Sequence, residues 1–208
     1  MREDRHGYMV EWRDGMETIN CIEIQNLKLP YREQEINLKF VKGINYLKGN
    51  NGSGKTMLLD CIAGLFKKDA DNIKGNESIV YINQNIFFSD RLTGMDFLKF
   101  VYGLDNNREG RKIFEKKYCV IEEINQTIRK QWGMLSGGER KFLYAIILLS
   151  LDREWYILDE PFAFVDAVRR GRLWEIINEK VAEGKGIILT SHQEDSEIEK
   201  YSTQIVTI

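Results

Sequence analysis

Eight consecutive residues, Gly49-Asn50-Asn51-Gly52-Ser53-Gly54-Lys55-Thr56, have types and spacing suited to one chemistry, the holding of a polyphosphate. They fill the pattern GxxxxGK[ST] at every fixed position. The glycines let the backbone turn tightly and point its N–H groups inward. Together with a following helix N-terminus, those groups make an anion cradle. Lys55 can place a positive charge between the β- and γ-phosphates of a nucleotide, and the Thr56 hydroxyl can reach a magnesium ion. Such a metal needs a carboxylate. The run Trp155-Tyr156-Ile157-Leu158-Asp159-Glu160 provides two, at the end of a short buried strand. Ligands of α/β folds bind at that end of the sheet. Adjacent strand residues point to opposite sides, so the two acids should have different tasks. Asp159 suits the magnesium ion. Glu160 lies one residue nearer the exit loop and suits the attacking water.

Two further segments carry groups fit for anions. Leu135-Ser136-Gly137-Gly138-Glu139 precedes a long apolar helix. A serine and two glycines at a helix start form a second anion site. Thr190-Ser191-His192 follows the apolar run Gly186 to Leu189. In a parallel sheet this puts His192 at the same edge as Glu160. A neutral imidazole there can donate a hydrogen bond to a phosphate oxygen. His6 stands in the weakly patterned N-terminal tail and has no role in this reading.

The elements that must position these residues follow from hydrophobic periodicity. Strands are expected over residues 19–24, 35–40, 43–47, 77–82, 155–158, 186–190 and 205–208. Helices are expected over 57–66, 139–151, 166–183 and 196–201. In the first of these, Leu58, Ile62 and Leu65 would form one apolar face, with Gly64 a mild cost inside it. Residues 91–130 turn helical and more charged, with Phe97, Val101, Ile113, Ile121 and Ile124 as apolar positions and a break between Gly103 and Gly110. Alternating short strands and helices predict a largely parallel α/β core. Residues 1–17 are polar and poorly periodic; a hairpin around Asp14-Gly15, a frayed tail and an overlong start all fit them.

Composition narrows the setting. The 208 residues are 43% hydrophobic and 30% charged, as in a globular protein with room for one substantial core. A formal net charge of -2 gives no bulk basic field for a nucleic-acid backbone. Cys21, Cys61 and Cys119 stand far apart, without metal-ligand or redox spacing, and read as reduced thiols of a cytoplasmic protein. The longest nearly apolar run, Phe142 to Leu151, is too short to span a bilayer. Any membrane would be met through another protein.

The order of these motifs resembles that of the ABC ATPase nucleotide-binding subunit, over roughly residues 19–208. The phosphate loop at Gly49 to Thr56 comes first, then Gln84, the LSGGE pentapeptide at Leu135 to Glu139, the acidic strand ending in Glu160, then Asp166 and His192. The resemblance implies a P-loop NTPase core with a mainly parallel sheet, an N-terminal antiparallel β subdomain and a helical subdomain inserted at 90–134, after an extension at 1–18. It also implies ATP and Mg2+ as cofactors, and a second such subunit, identical or related, paired head to tail. ATP would lie between the phosphate loop of one copy and the pentapeptide of the other, against its residues Ser136, Gly137, Gly138 and Glu139. By the same resemblance Gln84 touches the metal and the water, Asp166 crosses the interface, His192 holds the γ-phosphate and Tyr31 stacks on adenine.

Two residues depart from the family pattern: Ala163 stands where a small polar residue is usual, and Val165 where leucine is usual. With Glu160 and His192 both present, an active Mg-dependent ATPase is expected. The leading reading is the ATP-hydrolysing subunit of an ABC transporter, cytoplasmic and held on the inner face of the membrane by a polytopic permease, with no direct nucleic-acid contact. Phe87, Phe88, Leu92 and Phe97 would either line the groove for that permease or form subdomain core. The alternative is a soluble non-transport ABC ATPase acting on a ribosome, DNA or a protein complex. Against it stand a single cassette and the absence of a heptad array between Lys55 and Asp159.

Overall fold

The computed structural model describes residues 21–30, 34–66, 71–191 and 195–208. Eight strands and seven helices alternate along them. Strand β1 (Cys21–Leu27) pairs antiparallel with β2 (Ile36–Val41) and with the two-residue β4 (Ile73–Lys74), which its brevity hid from the periodicity. The second sheet holds β3 (Gly43–Lys48), β5 (Ile79–Ile82), β6 (Trp155–Leu158), β7 (Gly186–Leu189) and β8 (Gln204–Thr207). Its order is β5-β6-β7-β3-β8, and every pairing in it is parallel. The fold class is therefore the expected one, a mainly parallel α/β sheet accompanied by a smaller antiparallel one.

Strands β6 and β7 are buried along their whole length, which is why Trp155–Leu158 and Gly186–Leu189 read as continuous apolar runs. Ile82, Leu158, Leu189 and Tyr46 lie at the same level across four neighbouring strands. The chain segments that leave these strands consequently emerge at one edge. They are the phosphate loop after β3, Gln84 after β5, Asp159 and Glu160 after β6, and Thr190 after β7.

Two apolar clusters fill the interior. One joins the sheet to the helices α2 (Gly94–Leu104), α3 (Arg108–Tyr118), α4 (Glu122–Arg129), α5 (Gly137–Leu149) and α6 (Ala167–Ala182). The other packs the opposite sheet face and β1–β2 on α1 (Lys55–Ile62). A six-residue helix, α7 (Ser196–Tyr201), precedes the edge strand β8. Helix ends follow local chemistry. Thr93 and Ser136 each form a capping box, with Asp96 and Glu139 respectively, and Asp166 caps α6 through the N–H groups of Val168 and Arg169.

Two expectations about helices need correction. Helix α1 begins at Lys55 and ends at Ile62, so Gly64 lies beyond it at φ +75°, a left-handed stop. Leu65 is accordingly exposed, and the buried face is Leu58, Leu59 and Ile62. Ile113 also faces outward; Phe114 and Tyr118 carry the core side of α3. Periodicity gave the correct period there but the wrong phase. Of the cysteines, Cys61 is buried, while Cys21 and Cys119 are half-buried.

Candidate functional site

The phosphate loop joins β3 to α1, and its two left-handed glycines make the turn. Gly52 has φ +80° and Gly54, the residue before α1, φ +96°. No side chain caps the N–H groups at the start of α1. Lys55 is buried and its Nζ curls back to the carbonyls of Gly49 and Asn50, at 2.6 and 3.1 Å. The Ser53 hydroxyl is buried inside the loop without a hydrogen-bond partner. Uncapped backbone donors, an orphan hydroxyl and a lysine resting on loop carbonyls are the groups a polyphosphate would engage.

The carboxylates stand against this loop. Asp159 is only 2% exposed. Its Oδ2 accepts from the Thr56 hydroxyl at 2.9 Å, and its Oδ1 accepts from Thr190 Oγ1 at 2.6 Å. Thr190 Oγ1 in turn accepts the Glu160 N–H at 3.0 Å. Strand β6 has already ended at Leu158, and Glu160 takes φ +52°. The two acids therefore separate through a backbone turn rather than through strand alternation. Asp159 faces Thr56, while the Glu160 carboxylate is partly exposed and accepts from the Gln84 side-chain amide at 2.9 Å. Thr56, Asp159, Glu160 and Gln84 thus meet as the motif order implied.

Thr190 and Lys141 were not among the residues singled out from the sequence. Thr190 is fully buried and holds both acids. Its signal was the hydroxyl pair Thr190-Ser191 directly after an apolar strand. Lys141 lies in the first turns of α5 and is 6% exposed. Burial pushes its pKa down, and the charges of Glu160 and Asp159 oppose that shift. Lys141 thus lies within electrostatic range of both acids. It follows Glu139 and Arg140 at the charged start of the helix, so the sequence offered no separate clue.

The pentapeptide occupies the start of α5. Ser136 Oγ accepts the Glu139 N–H at 3.1 Å, and Glu139 Oε2 accepts the Ser136 N–H at 2.8 Å. Glu139 also pairs with Lys130 at 3.0 Å, and the Ser136 N–H bond holds its carboxyl below the usual range. A side chain at Gly137 would enter open space. One at Gly138 would press on the Phe164 carbonyl oxygen, so the loop after β6 can approach only because that position is glycine. Asp166 receives Arg169, whose other guanidinium nitrogen reaches Glu123 at 2.8 Å. Tyr31 and His192 lie outside the described residues.

Phe88 and Phe97 pack with Trp132 as core, whereas Phe87 and Leu92 are exposed. Phe87, Phe100, Leu104, Tyr81 and Tyr144 line an open cleft of ≈ 440 Å³ between α2 and the sheet.

A parallel sheet whose edge gathers a GxxxxGKT loop, its threonine and a strand-end aspartate defines a P-loop nucleotide-binding protein. Residues 34–163 match the ABC transporter family model. The chain is 28% identical over 179 residues to the energy-coupling factor transporter ATP-binding protein of Thermotoga maritima, covering 78% of this chain and 68% of that one. It is 30% identical to the zinc import ATP-binding protein of Wolbachia pipientis, covering 84% and 74%. A solved ATP-binding subunit of an ABC transporter shares the fold at TM-score 0.73 and 22% identity, over 90% of this chain and 85% of that one. The chain belongs to the ABC transporter family, among its ATP-binding subunits.

Proposed function

We propose that this chain hydrolyses ATP to ADP and phosphate with magnesium, and that the reaction drives a membrane permease. The observation that carries the reading is the joined set of hydrogen bonds Thr56–Asp159–Thr190–Glu160–Gln84. It joins a hydroxyl paired to a buried carboxylate, which supports a metal-binding role, to a separate, partly exposed carboxylate at one sheet edge. Thr56, Asp159 and Gln84 would hold magnesium, which neutralises phosphate charge when bound. Lys55 and the N–H groups of the loop hold the phosphates. Glu160 accepts a hydrogen bond from the attacking water and aligns it. The water oxygen bonds to the γ-phosphorus as the bridging oxygen leaves on ADP. Ser136 to Glu139 of a second copy would close the site, with Asp166 at the interface; Tyr31 and His192 are assigned to the adenine and the γ-phosphate.

Among the described residues no helix is long and apolar enough to cross a membrane. The cleft beside Phe87 is where the permease would dock, with the protein held by that partner on the cytoplasmic face. Two measurements test the reading. Lys55→Ala should lose most affinity for Mg-ATP in a titration; near-normal affinity would remove Lys55 from the site. The tagged chain, extracted in mild detergent, should copurify with a polytopic membrane protein. Recovery with ribosomes or DNA instead would favour the non-transport alternative.

A further inference from the structure

Helix α6 begins with a cation where helices favour acids. Arg169 stands in its first turn, opposed by the helix dipole, and no acid accompanies it there. The side chain folds back across the Asp166 cap and enters a group of carboxylates from three elements. One guanidinium nitrogen meets Asp166. The other reaches Glu123 of α4 at 2.8 Å and Glu139 of α5 at 3.8 Å. Lys130, just after α4, also pairs with Glu139, at 3.0 Å. Of these two cations only Arg169 reaches all three acids among the described residues. The Arg169 and Glu139 side chains are 18% and 15% exposed, so solvent screens them weakly. The Arg169 Nε is buried with no hydrogen-bond partner among the described residues, a desolvation cost that the carboxylates offset.

We propose that Arg169 is a positioning residue for ATP hydrolysis, holding the start of α5 in a fixed relation to Asp166 and α4. The inference rests on the reading above, in which Asp166 and the pentapeptide serve the reaction, and adds a residue that the motif order does not contain. Its contacts go to those two segments rather than to the apolar core. Without Arg169, the acids Asp166, Glu123 and Glu139 would stand together beside Lys130 alone, and like charges would drive α4, α5 and the Asp166 turn apart. A shift of about 1 Å in a group that completes a site costs up to about 100-fold in rate. The phosphate loop follows β3, away from this cluster, so nucleotide binding by the single chain is spared. A second ion pair, Lys117–Glu179, also ties a helix of the same segment, α3, to α6, but toward the far end of α6 and half exposed on both sides. Such a surface pair contributes little.

The test uses the full chain with magnesium and ATP, reading kcat by phosphate release and nucleotide affinity and site number by titration. Arg169→Met keeps the length of the side chain and removes its charge. Its kcat should fall at least about tenfold, with affinity within about twofold of wild type and no loss of binding sites. Arg169→Lys keeps the charge without the two-pronged fork and should recover part of the rate. Lys117→Met should leave kcat within about twofold of wild type. Unchanged kcat in Arg169→Met, an equal fall in Lys117→Met, or a lysine variant no better than methionine would each remove the positioning role while the hydrolysis reading stands. A wild-type chain that does not hydrolyse ATP would overturn both. If Arg169→Met does not fold, Glu123→Gln decides. It alters one partly exposed arm of the cluster and should lower kcat roughly threefold. Wild-type kcat in that variant would overturn the proposal.

Discussion

At the residue scale, Glu160 and Asp159 are neighbours in sequence but face different partners, and Thr190 holds them apart. One hydroxyl donates to the Asp159 carboxylate and accepts the Glu160 N–H, which fixes the turn that parts the two side chains. Glu160→Gln keeps an oxygen for the Gln84 amide, so the shape of the site should persist. An amide is a far poorer proton acceptor than a carboxylate. Turnover should therefore fall about 100- to 10,000-fold while ATP binding is retained and an ATP-bound dimer accumulates. A radiolabelled turnover assay beside size-exclusion chromatography would read both. Loss of ATP binding in this variant would mean that Glu160 serves the metal. Thr190→Val removes both bonds at nearly constant volume. Stability should drop by about 1–3 kcal/mol, because a buried N–H and a buried carboxylate oxygen lose partners. Mg-nucleotide affinity should fall as well, and Thr190→Ser should restore both in denaturant titrations and binding isotherms.

At the scale of elements, the sheet edge opposite the site is held by charge. Lys42 before β3 and Lys185 before β7 converge on Glu154 before β6, at 2.8 and 2.9 Å. Hydrogen bonds from Lys42 and then Lys185 lower the Glu154 pKa to about 2. A depressed carboxylate stabilises the fold above its ordinary range, near 4.5, and that contribution fades as pH falls from there toward 2. The site is half open to solvent, so its worth is up to about 1 kcal/mol. Glu154→Gln should lower the melting temperature slightly at pH 7, with the gap closing in acid. A gap that stays constant down to pH 2.5 would show that packing, not charge, is at stake. Lys42 Nζ also sits 4.9 Å from the Trp155 ring centre, a cation–π contact at the start of β6.

At the scale of the whole molecule, one chain carries two helix starts proposed to bind anions, at α1 and α5. The bonds of the second run to Lys130 just after α4, to Arg169 of α6 and to itself. An arginine at Ser136 would fill the space at the α5 N-terminus and break the capping box while leaving the phosphate loop of the same chain intact. Ser136→Arg should bind Mg-ATP normally as a monomer yet fail to dimerise or turn over. Light scattering with and without nucleotide, beside a phosphate-release assay, checks this; normal hydrolysis would show that the pentapeptide does not complete the site.

The sequence by itself determined the phosphate loop, the acidic strand end and the alternation of strands and helices. Each rests on local rules: fixed spacing, buried apolar runs and capping residues. Strand order, by contrast, brings Gln84 to Glu160 across 76 positions, and Thr190 to Asp159 across 31. No local pattern encodes such contacts. The outward phase of Ile113 and the end of α1 at Ile62, before the left-handed Gly64, were also decided by tertiary packing and backbone geometry, because periodicity fixes a helix but not which neighbours it meets. Phe164 is the extreme case. Its residue type predicts burial, and only the fold reveals a fully exposed ring on a left-handed backbone beside Gly138.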